Sequence, residues 1–96
     1  MKVELHPEAK AKFLDAVEFY ANESTAAANR LIDEFEAAAA AIENYPSRYR
    51  KGRKNTRIIE FHSFPYSLVY RILDDLIKID AVAHNKHKPG YWRKRI

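Results

Sequence analysis

The chain has 96 residues, with 17 Lys/Arg against 13 Asp/Glu, a formal net charge of +4, 47% hydrophobic residues and no Cys. That length allows one small domain with a single core; the lack of Cys excludes a disulfide framework and a thiolate metal site, and no apolar run approaches the ~18 residues of a membrane span. The charge is unevenly distributed: residues 1–47 carry four Lys/Arg and nine Asp/Glu, a net of −5, whereas residues 48–96 carry thirteen and four, a net of +9. A C-terminal half of that kind attracts phosphate or an acidic polypeptide.

Met1 to Pro7 lacks the apolar run of a signal peptide, so the expectation is a soluble protein of the reducing cytoplasm. Val3 and Leu5 alternate with Lys2 and Glu4 as in a short half-buried strand, and Pro7 suits the first position of a helix. Ala9, Phe13, Ala16, Val17 and Tyr20 recur at helical spacing, and the pattern breaks from Asn22 to Thr25. Ser24 or Thr25 can cap a second helix whose stripe is Ala28, Leu31, Ile32, Phe35, Ala38, Ala39 and Ile42, ended by Tyr45-Pro46. So short a break predicts an antiparallel helical hairpin. The alanines from Ala37 to Ala41 leave little bulk, which lets this part of the helix lie close to a neighbour.

From Ser47 to Asn55 the apolar pattern stops, and Arg48, Arg50, Lys51, Arg53 and Lys54 surround Gly52 in what reads as a basic loop. Thr56 to Phe61 reads as a strand. In the next strand Tyr66, Leu68, Tyr70 and Ile72 share one face, and Ser67, Val69, Arg71 and Leu73 the other. Asp74-Asp75 makes a turn. In the last strand Ile77, Ile79, Ala81 and Ala83 are expected to point to one side, and Lys78, Asp80, Val82 and His84 to the other. The tail from Asn85 to Ile96 is basic and aromatic. No repeat or linker divides the chain, so residues 1–96 read as one α+β domain, with about four strands covered on one face by the two helices. Its expected core is Val3, Leu5, Phe13, Val17, Tyr20, Leu31, Phe35, Ile42, Ile59, Leu68, Tyr70, Ile77, Ile79 and Ala81.

The order of a short strand, a helical hairpin, a basic loop, a three-strand meander and a basic aromatic tail resembles the RelE/ParE superfamily of bacterial toxins. Phe64-Pro65-Tyr66-Ser67-Leu68-Val69-Tyr70-Arg71-Ile72, then Asp74-Asp75, Ile77-Lys78-Ile79, Ala81-Val82-Ala83-His84 and Pro89-Gly90-Tyr91-Trp92, is similar to the signature of its plasmid-stabilisation branch. The resemblance implies a toxin of a type II toxin–antitoxin pair, wrapped and blocked by a cognate antitoxin. It also implies one of two targets: DNA gyrase, for ParE-like members, or messenger RNA on the ribosome, for RelE-like endonucleases.

Positions that carry cationic catalytic groups in RelE-like enzymes fall here on Ile58, Glu60, Ser67 and Asn85, and only the tail tyrosine, Tyr91, matches. Arg57, Arg71 and His84 are candidate substitutes, since RNA cleavage without a metal needs an acid, a base and positive charge near the phosphate. This departure favours gyrase; the alternatives are the RelE-like endonuclease and an inactive relative that only binds antitoxin. Each candidate also has a structural reading: Arg71 pairing with Asp74, Asp80 or Glu60, His84 hydrogen-bonded on a polar face, and Tyr91 and Trp92 pinning the tail.

The candidate target-binding cations are Arg48, Arg50, Lys51, Arg53 and Lys54 in the loop, with Lys86, Lys88, Arg93, Lys94 and Arg95 in the tail, expected to gather on one side of the molecule. Val69 and Leu73, opposite the helices, are the candidate antitoxin contacts. His84 and His87 lack an accompanying carboxylate cluster, and Ser63 and Ser67 lack the turn of an activated serine, so neither a metal site nor a nucleophilic serine is expected, and no cofactor is implied.

Overall fold

The computed structural model describes residues 1–86. Their elements are β1 (Lys2–Leu5), α1 (Pro7–Glu23), α2 (Thr25–Asn44), β2 (Arg50–Lys51), β3 (Thr56–Glu60), β4 (Tyr66–Leu73) and β5 (Leu76–His84). Pro7 opens α1 as expected, and His6 caps it: its ring Nδ1 accepts from the Glu8 N–H at 3.1 Å. The expected break of four residues between the helices is a single residue, Ser24. Its N–H donates to Tyr20 O (2.8 Å) at the end of α1, while its hydroxyl oxygen accepts from the Ala27 N–H (3.2 Å) at the start of α2. One extended residue thereby caps two helices, which turns the chain back on itself. Phe13 and Phe35, each eleven residues from Ser24, stack with centroids 4.2 Å apart.

The sheet runs β1-β5-β4-β3-β2, with β1 parallel to β5 and the other pairs antiparallel. It has five strands where about four were expected, because Arg50-Lys51 in the basic loop pairs with Ile58 and Arg57 of β3. Two residues are too few to show a strand period in sequence; the pairing is produced by the turn that follows.

One face of the sheet and the apolar stripes of both helices form the core. All of the expected core residues lie in it except Ala81, and Phe61, Phe64 and Val82 join it. The exchange of Ala81 for Val82 has a definite cause. Val69 pairs with Ala81 but Tyr70 pairs with Ile79, so Asp80 is an extra residue on β5, a β-bulge. The strict alternation expected for β5 therefore reverses beyond it. Val82 turns into the helix-side core, and Ala81 joins Val69, Ile58 and Ala83 in a small cluster on the other face.

Two contacts tie the connections to this core. The Tyr70 hydroxyl, buried enough that its pKa is pushed up to about 12, donates to Pro46 O at 2.6 Å, fixing the exit from α2. Glu34 on α2 accepts from the backbone N–H groups of His62 (2.9 Å) and Ser63 (3.1 Å), which holds the β3–β4 connection against the helix. Burial pushes the Glu34 pKa up, but the Ser63 and His62 donors outweigh it and leave it below 4.5. A lowered carboxylate pKa contributes stability above the unfolded-state value that is lost as pH falls through the folded one. Glu34→Ala should reduce the unfolding free energy by about 1–3 kcal/mol at neutral pH. Urea titrations should show the gap to the parent narrowing below the ordinary value of 4.5.

Candidate target-binding surface

Strands β2 and β3 form a two-stranded ribbon at the edge of the sheet, joined by a turn through residues 52–55. Gly52 N donates to Thr56 O (2.8 Å), Thr56 N to Arg53 O (3.0 Å), and the Thr56 hydroxyl to Arg53 O (2.6 Å). Lys54 and Asn55 both have left-handed backbones, with φ of 53° and 61°. Gly52 is required by a close approach: a Cβ there would lie 2.6 Å from Thr56 Oγ1, itself held by its hydrogen bond. What reads in sequence as a basic loop is a closed turn.

The turn displays cations. Arg48, Arg50, Lys51, Arg53 and Lys54 are all exposed. Arg48 lies over the ring of exposed Tyr45, 5.5 Å from its centroid, and Arg50 reaches Glu60 at 3.9 Å with both side chains largely in solvent, a pair of little energetic weight. Arg57 differs: its Nη1 donates to Ser47 O (3.1 Å) and Tyr49 O (2.8 Å), clamping the segment after α2 onto β3.

The remaining sequence candidates are not brought together with these. Arg71 lies on the face away from the helices and donates through Nε to Asp80 Oδ2 (2.8 Å) and through Nη2 to Asp80 Oδ1 (3.0 Å), the cross-sheet pairing that was one of its two readings. Those bonds raise the Arg71 pKa although burial opposes it, and Asp80 is fully buried. Beside this pair Lys78 Nζ meets Glu4 at 2.9 Å. Arg57, opposite Tyr70, belongs to the helix side, as does His84, whose ring stands edge-on to Tyr66 at 5.1 Å and whose Nδ1 accepts from the Lys86 N–H.

His84 thus departs from the polar face assigned to it, because the bulge at Asp80 turns over every later residue of β5. It lines a cleft of about 220 Å³ with Lys12, Asp15, Phe19 and Tyr66. Arg57 and His84 are separated along β4 by the four residues from Tyr70 to Tyr66, about 13 Å. The expected grouping of Arg57, Arg71 and His84 on one face does not form.

Of the tail cations only Lys86 falls among the described residues: it follows β5 two residues past His84, the partner of Tyr66, whereas the ribbon turn adjoins Arg71, five residues or about 16 Å along β4. Tyr91, Lys88, Arg93, Lys94 and Arg95 lie outside the described residues. Of the two candidate antitoxin contacts, Val69 is 2% exposed and Leu73 39%, so only Leu73 offers surface. Ser67, at a position where RelE-like enzymes carry a cation, instead bonds Asn85 Oδ1 through its hydroxyl at 2.8 Å.

Sequence reasoning passed over Tyr45 and Asn55, the first a ring beneath Arg48 and the second a left-handed turn residue. An Asn immediately before β3 was the available signal for the turn. Among the described residues no group of three or more His, Asp and Glu is placed to hold a metal, and no helix is long and apolar enough to cross a membrane.

Arg71→Met should lower stability by about 3 kcal/mol, because the fully buried Asp80 loses its guanidinium partner. Thermal or urea unfolding of that variant checks this. Gly52→Ala should cost about 1–3 kcal/mol through its clash with Thr56, measured in the same way.

No curated protein matches the chain. Among solved structures it is similar to a chain described as the chromosomal ParDE toxin–antitoxin system from P. aeruginosa, with a TM-score of 0.74 at 15% identity, covering 88% of this chain and 95% of that one. The fold is therefore shared. A family model described as the ParE toxin of the type II toxin–antitoxin system, parDE, matches residues 3–89. With the hairpin, the five-strand sheet and the basic ribbon in place, that match shows that the chain belongs to the ParE toxin family of type II toxin–antitoxin systems.

Proposed function

We propose that this protein is a cytoplasmic toxin that arrests growth by binding DNA gyrase without catalysing a reaction, and that a cognate antitoxin neutralises it. The observation that carries this reading is the dispersal of the candidate catalytic groups among the described residues. General acid–base cleavage of RNA requires its groups within hydrogen-bond reach of one phosphate. Arg71 is committed to Asp80 on one face, while Arg57 is committed to backbone carbonyls on the other. His84 lies on the helix side, beside Tyr66. What is left exposed is a rigid set of cations suited to binding. The family and the ParDE neighbour support an antitoxin partner, and exposed Leu73 at the end of β4 is the contact proposed for it.

In a supercoiling assay with purified components the protein should inhibit gyrase in proportion to dose. Undiminished supercoiling at large toxin excess would remove the gyrase target. Primer extension on translating ribosomes should give no codon-positioned cuts; cuts that disappear in Tyr91→Phe would replace binding with RNA cleavage.

A further inference from the structure

We infer that the β2–β3 ribbon is a docking element for double-helical DNA, reading the phosphate walls of a groove. The inference rests on the proposed gyrase reading only in supplying DNA as a neighbour of the target, and it names the partner of the same basic surface. Residues 48–58 contain six Lys/Arg and no Asp/Glu. Of these, Arg57 faces inward to Ser47 and Tyr49, which leaves four exposed cations on β2 and the turn, Arg50, Lys51, Arg53 and Lys54, with Arg48 just before them.

Their placement is more informative than their number. Arg50 stands opposite Ile58 and Lys51 opposite Arg57, so consecutive strand residues put positive charge on both faces of the ribbon, and Arg53 and Lys54 occupy its tip. A ribbon charged on one face suits a flat acidic surface. A ribbon charged on both faces and at its end suits a groove with a phosphate row on each side. The major groove of B-form DNA, about 12 Å wide, admits a two-stranded β-ribbon; β3 is paired along its length with β4, so β2 and the turn through residues 52–55 form the edge that enters it.

The turn is also prepared for the role. Its three hydrogen bonds, the Gly52 approach to Thr56 and the two left-handed residues fix the backbone before any partner arrives, so little ordering cost remains on binding. A single-stranded RNA partner is less well matched. Sequence-tolerant binding of single strands depends on aromatic platforms, and the ribbon from Arg50 to Arg57 carries no aromatic residue. Double-stranded RNA hides its major groove in a deep, narrow cleft that a ribbon does not enter.

The test is fluorescence anisotropy of the full chain with a labelled mixed-sequence duplex of about 20 bp, over about 50–200 mM salt. Residues 87–96 contribute their own cations, so the difference between parent and variant is the quantity read. Each phosphate contact contributes about 0.9 to the slope of log Kd against log salt, so Arg53→Gln/Lys54→Gln should lower the slope by about 2 and weaken binding at low salt. Arg50→Gln/Lys51→Gln gives an independent reading should the turn variant fail to fold, and Lys10→Gln/Lys12→Gln on α1 should leave the slope unchanged.

An unchanged slope in both ribbon variants, no binding by the parent at low salt, or tighter binding to a single-stranded RNA of equal length would each overturn the inference. Gyrase inhibition without duplex binding would overturn it while leaving the gyrase reading intact. Duplex binding without gyrase inhibition would do the reverse.

Discussion

Between Val69 and Tyr70 the sheet accommodates one more residue on β5 than on β4, and the residue left over is Asp80. The bulge places a carboxylate on the face away from the helices, where it is fully buried and held by two bonds from Arg71. Burying a charge there costs several kcal/mol unless it is paired, and the guanidinium supplies part of that pairing. In return the bulge resets the phase of β5. Val82 turns into the helix-side core, and His84 comes to stand against Tyr66.

The helical hairpin depends on that phase. Its stripe, from Ala9 and Phe13 on α1 to Leu31, Ala38 and Ile42 on α2, covers the face that carries Leu68, Tyr70, Ile77, Ile79 and Val82. A β5 without the bulge would present Ala81 to the helices in place of Val82. The volume lost is about two methyl groups in a close-packed interior, a change large enough to be felt. Glu34 and Tyr70 then secure the two irregular connections at the edge of this layer, each by bonding backbone groups that a helix or strand does not satisfy. The exposed cations of the β2–β3 turn region lie at the outer edge of the sheet, away from these ties.

The charge asymmetry along the chain becomes a spatial one by division of labour among the basic residues. Arg57, Arg71 and Lys78 are consumed in structure, by backbone carbonyls, Asp80 and Glu4 respectively. Arg50, Lys51, Arg53 and Lys54, with Arg48 just before them, stay in solvent on and beside a ribbon whose turn is closed by Gly52, Asn55 and Thr56. A surface assembled in this way presents positive charge on a fixed backbone.

The amino-acid sequence by itself determined the α+β class, the hairpin of two helices, the β4 faces and nearly all of the core, because these follow from hydrophobic spacing at periods of 3.6 and 2 and from local caps such as Pro7 and Ser24. The family was legible too, in the text from Phe64 to Trp92. Tertiary structure alone decided the rest. The strand at Arg50-Lys51 exists only because the turn folds it back onto β3, and a two-residue strand has no period to read. The faces of Ala81, Val82 and His84 depend on a register shift that a strict alternation cannot anticipate. Whether an arginine is a tie or a contact is equally absent from its identity: Arg71 and Arg53 are the same residue type, and what separates them is that folding brings a buried carboxylate to the first and leaves the second in water.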